Sequence, residues 1–174
     1  MPVSITGEKT GDLMTKGINK YLLFISLIVL FEMLFSCDSN VVFSDSKSMQ
    51  KSTWNLMDPA SFGVKIQDTL TSDNIYFTIR TGSDYPFRNI WLFIRTISPE
   101  GKVIGDTVQY FLMNEKGKRL GKGFGDIREI NLPYKSNVYF PSTGTYKFTV
   151  QHGMRTEDLK GVYDFGLRVE KINK

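Results

Sequence analysis

The sequence predicts an all-β protein: an antiparallel β-sandwich, immunoglobulin-like or jelly-roll, of seven to nine strands, preceded by a cleavable signal helix. Three observations predict it. Apolar and polar side chains alternate through most of residues 61–174, the period-2 pattern of half-buried strands. Clusters of Gly, Pro, Asn, Asp and Ser punctuate those runs at hairpin spacing. Near the N-terminus, Tyr21–Phe35 is a nearly unbroken apolar run of 15 residues, with Lys16 and Lys20 before it and Ser36-Cys37 after it. A membrane-spanning helix needs about 20 apolar residues, and Glu32 inside this run would cost a span about 3 kcal/mol at its centre. A basic start, a short apolar centre and a small residue before the break read as an export signal.

Taken in order, residues 1–13 are polar and carry both charge signs, unlike a signal; Met14 is the better start, and the first 13 residues read as a misassigned start. Leu34-Phe35-Ser36-Cys37 matches the bacterial lipobox. In that pathway the chain is cut between Ser36 and Cys37 and the thiol receives a diacylglyceryl group, the new amino terminus usually being acylated as well. Each buried methylene contributes about 0.8 kcal/mol, and two acyl chains suffice for stable anchoring. Cys37 is the one cysteine of the chain, and lipid attachment gives it a use. The expected organisation is therefore a lipoprotein signal over 1–36, a lipidated N-terminus and polar tether over 37–60, and a β-sandwich over 61–174. Within the tether, Val41-Val42-Phe43 is a candidate short strand.

The domain strands follow. "NIYFTIRT" faces Ile75, Phe77 and Ile79 inward. "TYKFTVQH" faces Tyr146, Phe148 and Val150 inward, and "FGLRVEKI" does the same with Phe165, Leu167 and Val169. "NIWLFIRT" is apolar on both faces, which predicts a central strand covered on both sides or lying under a loop. "VIGDTVQYFLMN" and "FGVKIQ" complete the set, and Ser-Pro-Glu-Gly at 98–101 reads as a hairpin turn. Helical character is confined to "MRTEDLKGV", one or two turns with Gly161 as a stop.

Composition narrows the functional classes. The formal charge is +4, and residues 1–36 sum to zero, so the excess belongs to residues 37–174. No basic stripe or arginine cluster accompanies it, and nucleic acid is not an expected partner. One cysteine and one histidine, His152, exclude an intramolecular disulfide and a Cys- or His-rich metal site. No metal or cofactor is expected.

Four constellations are candidates for chemistry. "GKGFGDI" supplies Gly121, Gly123 and Gly125 with Lys122, but no helical pattern follows and the GK[ST] ending is missing, so it reads as a glycine turn or bulge and not a phosphate loop. Asp68, Asp84, Asp106, Asp126 and Asp164 sit near loops; they read as turn caps more readily than as a hydrolytic or calcium-binding set. His152 has no nucleophile on a G-x-S-x-G turn to serve, and reads as structural. Trp54, Tyr85, Trp91 and Tyr163 could make a stacking platform for sugar or anchors for a protein partner, with Trp54, Tyr85 and Tyr163 the candidate binding aromatics. Trp91, inside its strongly apolar strand, suits core packing.

"YPFRNIWLFIRTISPEGKVIGDTVQYFL", "GKGFGDI" and "GTYKFTVQHGMRTEDLKGVYDFGLRVEK", in that order and spacing, resemble the gliding motility lipoprotein GldH family of Bacteroidetes. The resemblance spans about residues 37–172; Arg119 stands where the family pattern carries a tryptophan. It implies a lipid-anchored, non-catalytic envelope protein of the gliding machinery associated with type IX secretion. The implied partners are other gliding lipoproteins and envelope proteins, with the membrane contacted through acyl chains at Cys37. "DSN" after Cys37 has no dense acidic run, so the outer membrane facing the periplasm is the expected location. The alternative reading is a carbohydrate-binding envelope lipoprotein.

Overall fold

The computed structural model describes Leu22, residues 24–26 and residues 40–172. Leu22, Phe24, Ile25 and Ser26 are helical. The rest of the expected signal, including the Ser36–Cys37 cleavage position and Cys37 itself, lies outside the described residues.

Residues 40–172 form ten strands: β1 Val41–Ser48, β2 Thr53–Asn55, β3 Ala60–Ile66, β4 Asp73–Thr81, β5 Asn89–Ile97, β6 Val103–Phe111, β7 Arg128–Val138, β8 Gly144–His152, β9 Asp158–Lys160 and β10 Val162–Lys171. Eight of them build two four-stranded antiparallel sheets, β1-β10-β4-β7 and β3-β8-β5-β6, while β2 and β9 pair as a short ribbon. Except at the β5–β6 hairpin, each successive long strand crosses from one sheet to the other. This is the double-sheet jelly roll, which decides between the two sandwich types the sequence allowed.

The alternation holds where one face is buried. Ile75, Phe77 and Ile79 of β4, Tyr146, Phe148 and Val150 of β8, and Phe165, Leu167 and Val169 of β10 all lie in one core with Phe62, Val64, Ile90, Leu92 and Ile94. One flank of the sandwich is closed by Tyr110, whose hydroxyl donates to the Pro133 carbonyl at 2.8 Å, and by the Lys135–Asp106 ion pair at 2.6 Å. The other flank is closed by Phe43 packing edge-on to Phe62, centroids 6.4 Å apart.

Three expectations change. First, the tether over 37–60 is not a leash in its later part: Val41–Ser48 is a full edge strand paired with β10 from Val41↔Glu170 to Ser48↔Asp164, and Thr53–Asn55 pairs with β9. An edge strand needs few inward apolar residues. Here Phe43 supplies the contact while Ser44, Ser46 and Ser48 face outward, so the polar composition hid the strand. Second, "MRTEDLKGV" contains no helix; Leu159 and Val162, both fully buried, belong to β9 and β10, with Gly161 at φ +75° turning between them. Third, "REINLPYKSNV" is an unforeseen eleven-residue strand, β7. Pro133 reads as a breaker, but β7 is an edge strand, where a missing N–H costs no ladder bond.

Candidate functional site

The feature that sets this sandwich apart is on the outside of the β3-β8-β5-β6 sheet. β5 is next to the edge, flanked by β8 and by the edge strand β6. Its inward residues Ile90, Leu92 and Ile94 are 0–3% exposed. Its outward residues Trp91 and Phe93 are 40% and 48% exposed, and no element among the described residues covers them. The two-sided apolar pattern of "NIWLFIRT" therefore marks a strand with one buried face and one bare aromatic face, correcting both the covered strand and the core placement of Trp91.

The two rings border a groove of about 600 Å³, lined also by Phe87, Thr107, Gly153 and Met154, with Asn89 and Arg155 at the rim. The backbone fixes it. Gly153 N–H donates to the Trp91 carbonyl at 2.7 Å, and Trp91 N–H points to the Met154 sulfur at 3.4 Å. A Cβ on Gly153 would stand 2.8 Å from the Phe93 ring and 3.3 Å from Trp91 Cβ, so only glycine lets the rings lie against this turn. Across the hairpin Phe111, 56% exposed, carries the Arg88 guanidinium over its ring at 5.3 Å. Arg95 and Arg155 are exposed and have no ion-pair partner among the described residues. The face is thus apolar in the middle and cationic around it.

The candidate aromatics named from sequence do not assemble. Trp54 is fully buried, its ring tilted against Phe165 with centroids 4.9 Å apart, and its Nε1–H donates to the Asp58 carbonyl at 3.2 Å. Tyr85 is 3% exposed; its hydroxyl donates to the Asn89 carbonyl at 2.8 Å, and burial pushes its pKa upward. Tyr163 is half-buried against Gly82. A ring locked in the core offers no face to a sugar, so the platform of Trp54, Tyr85 and Tyr163 gives way to Trp91, Phe93 and Phe87.

The other constellations resolve into structure. Asp68 accepts from the Leu70 and Thr71 amides and the Thr71 hydroxyl, which with Lys171 hold its carboxyl well below the usual range. Asp106 pairs with Lys135, and Asp164 with Arg80. Among the described residues no three His, Cys, Asp or Glu side chains gather as a metal site. His152 is fully buried; its Nε2–H donates to the Trp54 carbonyl at 3.1 Å, its Nδ1 has no hydrogen-bond partner among the described residues, and burial lowers its pKa. "GKGFGDI" is a turn: Lys122 and Glu129 exchange backbone bonds of 2.9 and 2.7 Å, Gly121 and Gly125 take φ +90° and +59°, and β7 follows instead of a helix. At its tip Phe124 is 98% exposed.

The fold and the site together define a jelly-roll module with an uncovered aromatic groove. Comparison with known proteins gives its family. The model described as GldH lipoprotein matches residues 41–169. A gliding motility lipoprotein GldH homolog of Christiangramia forsetii is 35% identical over 156 residues, covering 86% of this chain and 93% of that one. Gliding motility lipoprotein GldH of Flavobacterium johnsoniae is 34% identical over 146 residues, covering 80% and 90%. The chain belongs to the GldH lipoprotein family, and so to the lipid-anchored proteins of the cell envelope. Among solved structures, a family GH115 4-O-methyl-α-glucuronidase is similar at TM-score 0.33 and 12% identity, over 79% of this chain and 18% of that one. The infectious bursal disease virus VP2 subviral particle follows at TM-score 0.30 and 15% identity, over 79% and 34%. Likeness at this level says nothing about activity.

Proposed function

We propose that this protein is a non-catalytic docking module of the gliding machinery associated with type IX secretion. Acyl chains on Cys37, after cleavage between Ser36 and Cys37, hold it to the outer membrane on the periplasmic side. The Trp91–Phe93 groove receives a partner. The observation that carries this reading is the bare aromatic face, held ready by Gly153. Exposed apolar surface of this kind marks interaction sites, and aromatic anchors dominate binding energy. The rim cations Arg95 and Arg155 fit a partner segment with apolar and acidic side chains. Restriction to a surface raises the effective concentration of such a partner, so the groove need not bind tightly alone.

The test is photo-crosslinking in living cells. A crosslinking amino acid at Phe93 should capture another envelope component, while the same group at Asn131, on the outer face of the opposite sheet, should not. Gliding that persists in the Trp91→Ala/Phe93→Ala double variant sinks the docking role. Cys37→Ala should release the protein from the membrane and stop gliding; survival of both removes the anchor. The second reading, a carbohydrate-binding lipoprotein, is favoured by the exposed Trp91 ring beside the polar Asn89. It requires saturable glycan binding that Trp91→Ala abolishes.

A further inference from the structure

The groove and the chain entry lie at opposite ends of the sandwich. Asn40 enters at one end, where its carbonyl accepts from Lys171 N–H at 2.8 Å. The registers Lys171↔Asp73 and Asp73↔Val138 put the start of β4 and the end of β7 at that same end. The end of β3 joins them through Ile66↔Gly144, and the β5–β6 hairpin through Ile97↔Lys147. The segments 67–72, 98–102 and 139–143 therefore surround the chain entry. The Phe124 turn and the Met154 segment adjoin the opposite strand ends, Arg128 of β7 and His152 of β8.

Covalent length decides what this means. Three residue steps, with Asp38 and Ser39 between, take the chain from Cys37 to Asn40, a reach of at most about 11 Å. β1 alone, at eight residues, extends about 26 Å. An acyl group on Cys37 therefore holds the Asn40 end within about 11 Å of the bilayer surface.

That end is dressed for the contact. Leu70 is 88% exposed, Tyr139 52%, Val103 50% and Ile104 55%. Lys65, Lys102 and Lys147 are exposed and have no ion-pair partner among the described residues. The acids nearby are engaged: Asp68 with Lys171, Asp106 with Lys135, Asp73 buried, and Glu100 accepting from the Ser98 hydroxyl at 2.9 Å. Apolar side chains ringed by free ammonium groups match the acyl–headgroup boundary of an anionic membrane.

We propose that the Asn40 end of the sandwich rests directly on the anionic phospholipid surface of the membrane that holds the acyl chains. Leu70, Val103, Ile104 and Tyr139 enter the interface, and Lys65, Lys102 and Lys147 meet the phosphates. The inference rests on acylation of Cys37. It adds an orientation: the domain stands upright, with its aromatic groove toward the far end.

The acylated thiol leaves the chain without a free one, so a single introduced cysteine can be labelled uniquely. Full-length processed protein carrying Leu70→Cys or Phe124→Cys is labelled with an environment-sensitive fluorophore. It is then reconstituted in phosphatidylcholine vesicles, with or without phosphatidylglycerol, containing lipid-borne quencher. Quenching should be several-fold greater at position 70 than at 124. The triple variant Lys65→Glu/Lys102→Glu/Lys147→Glu should reduce it several-fold in the anionic vesicles while the protein still floats with them. Equal quenching at both positions, or quenching at 70 indifferent to the triple variant, overturns the inference with the anchor intact. Failure to float at all overturns the anchor and the inference together.

Discussion

Trp54 and Trp91 are the two tryptophans of the chain, and they have opposite fates. Trp54 sits under the β3-β8-β5-β6 sheet, wedged between Phe165 at 4.9 Å and His152 at 5.6 Å, with every edge enclosed. Trp91 lies on the other side of the same sheet with 40% of its surface in water. The two regions are joined within two consecutive residues of the chain, since His152 packs on the first and Gly153 supports the second. Burying a ring stabilises the fold, whereas leaving one bare gives that stabilisation to a partner. The inner region should therefore govern stability and the outer one association.

That division can be broken at four points. Trp54→Ala should cost most, about 3–5 kcal/mol, by leaving a cavity between Phe165 and His152; urea denaturation measures it. A cost as small as that of a surface change would mean the core closes around the loss.

His152 comes next and acts through pH. Its folded pKa lies below the ordinary 6.5, because burial disfavours the charged ring. The unfolded chain then binds the extra proton more readily. The stabilisation is complete above about pH 6.5 and is lost as pH falls toward the folded value. Stability should fall as pH is lowered from about 7.5 to 5.5. As His152 is the single histidine, His152→Gln should flatten this slope; a slope that survives the change assigns it elsewhere.

Gly153→Ala should cost about 1 kcal/mol, since its methyl displaces the Phe93 ring. It should also weaken crosslinking from position 93 much more than it weakens the fold. Trp91→Ala should be smallest in stability, within about 0.5 kcal/mol, while abolishing partner capture. If it unfolds the domain as Trp54→Ala does, the separation of inner and outer regions fails.

What was legible followed the same divide. Alternation located β4, β8 and β10 with their inward residues, because one face of each packs in the core and the other meets water. It failed where that assumption fails. β1 reaches the core mainly through Phe43, and β7 is interrupted by a proline that an edge position tolerates. β9 is three residues long, held by its pairing with β2 and not by its own pattern. The site was half visible: "NIWLFIRT" announced a second apolar face. Whether that face is covered depends on strand order, which a single strand does not encode. Trp54, by contrast, lay in a Ser- and Lys-rich stretch that suggested exposure, and only its pairing with β9 draws it inside.

The strand that begins at Val41 would also set how the protein bears load. Under the proposed anchoring and docking, tension would enter at the start of β1 and run along its axis. Its backbone bonds to β10 lie across that axis. Such a pull would shear the whole row together and would not peel it rung by rung, a geometry suited to carrying load.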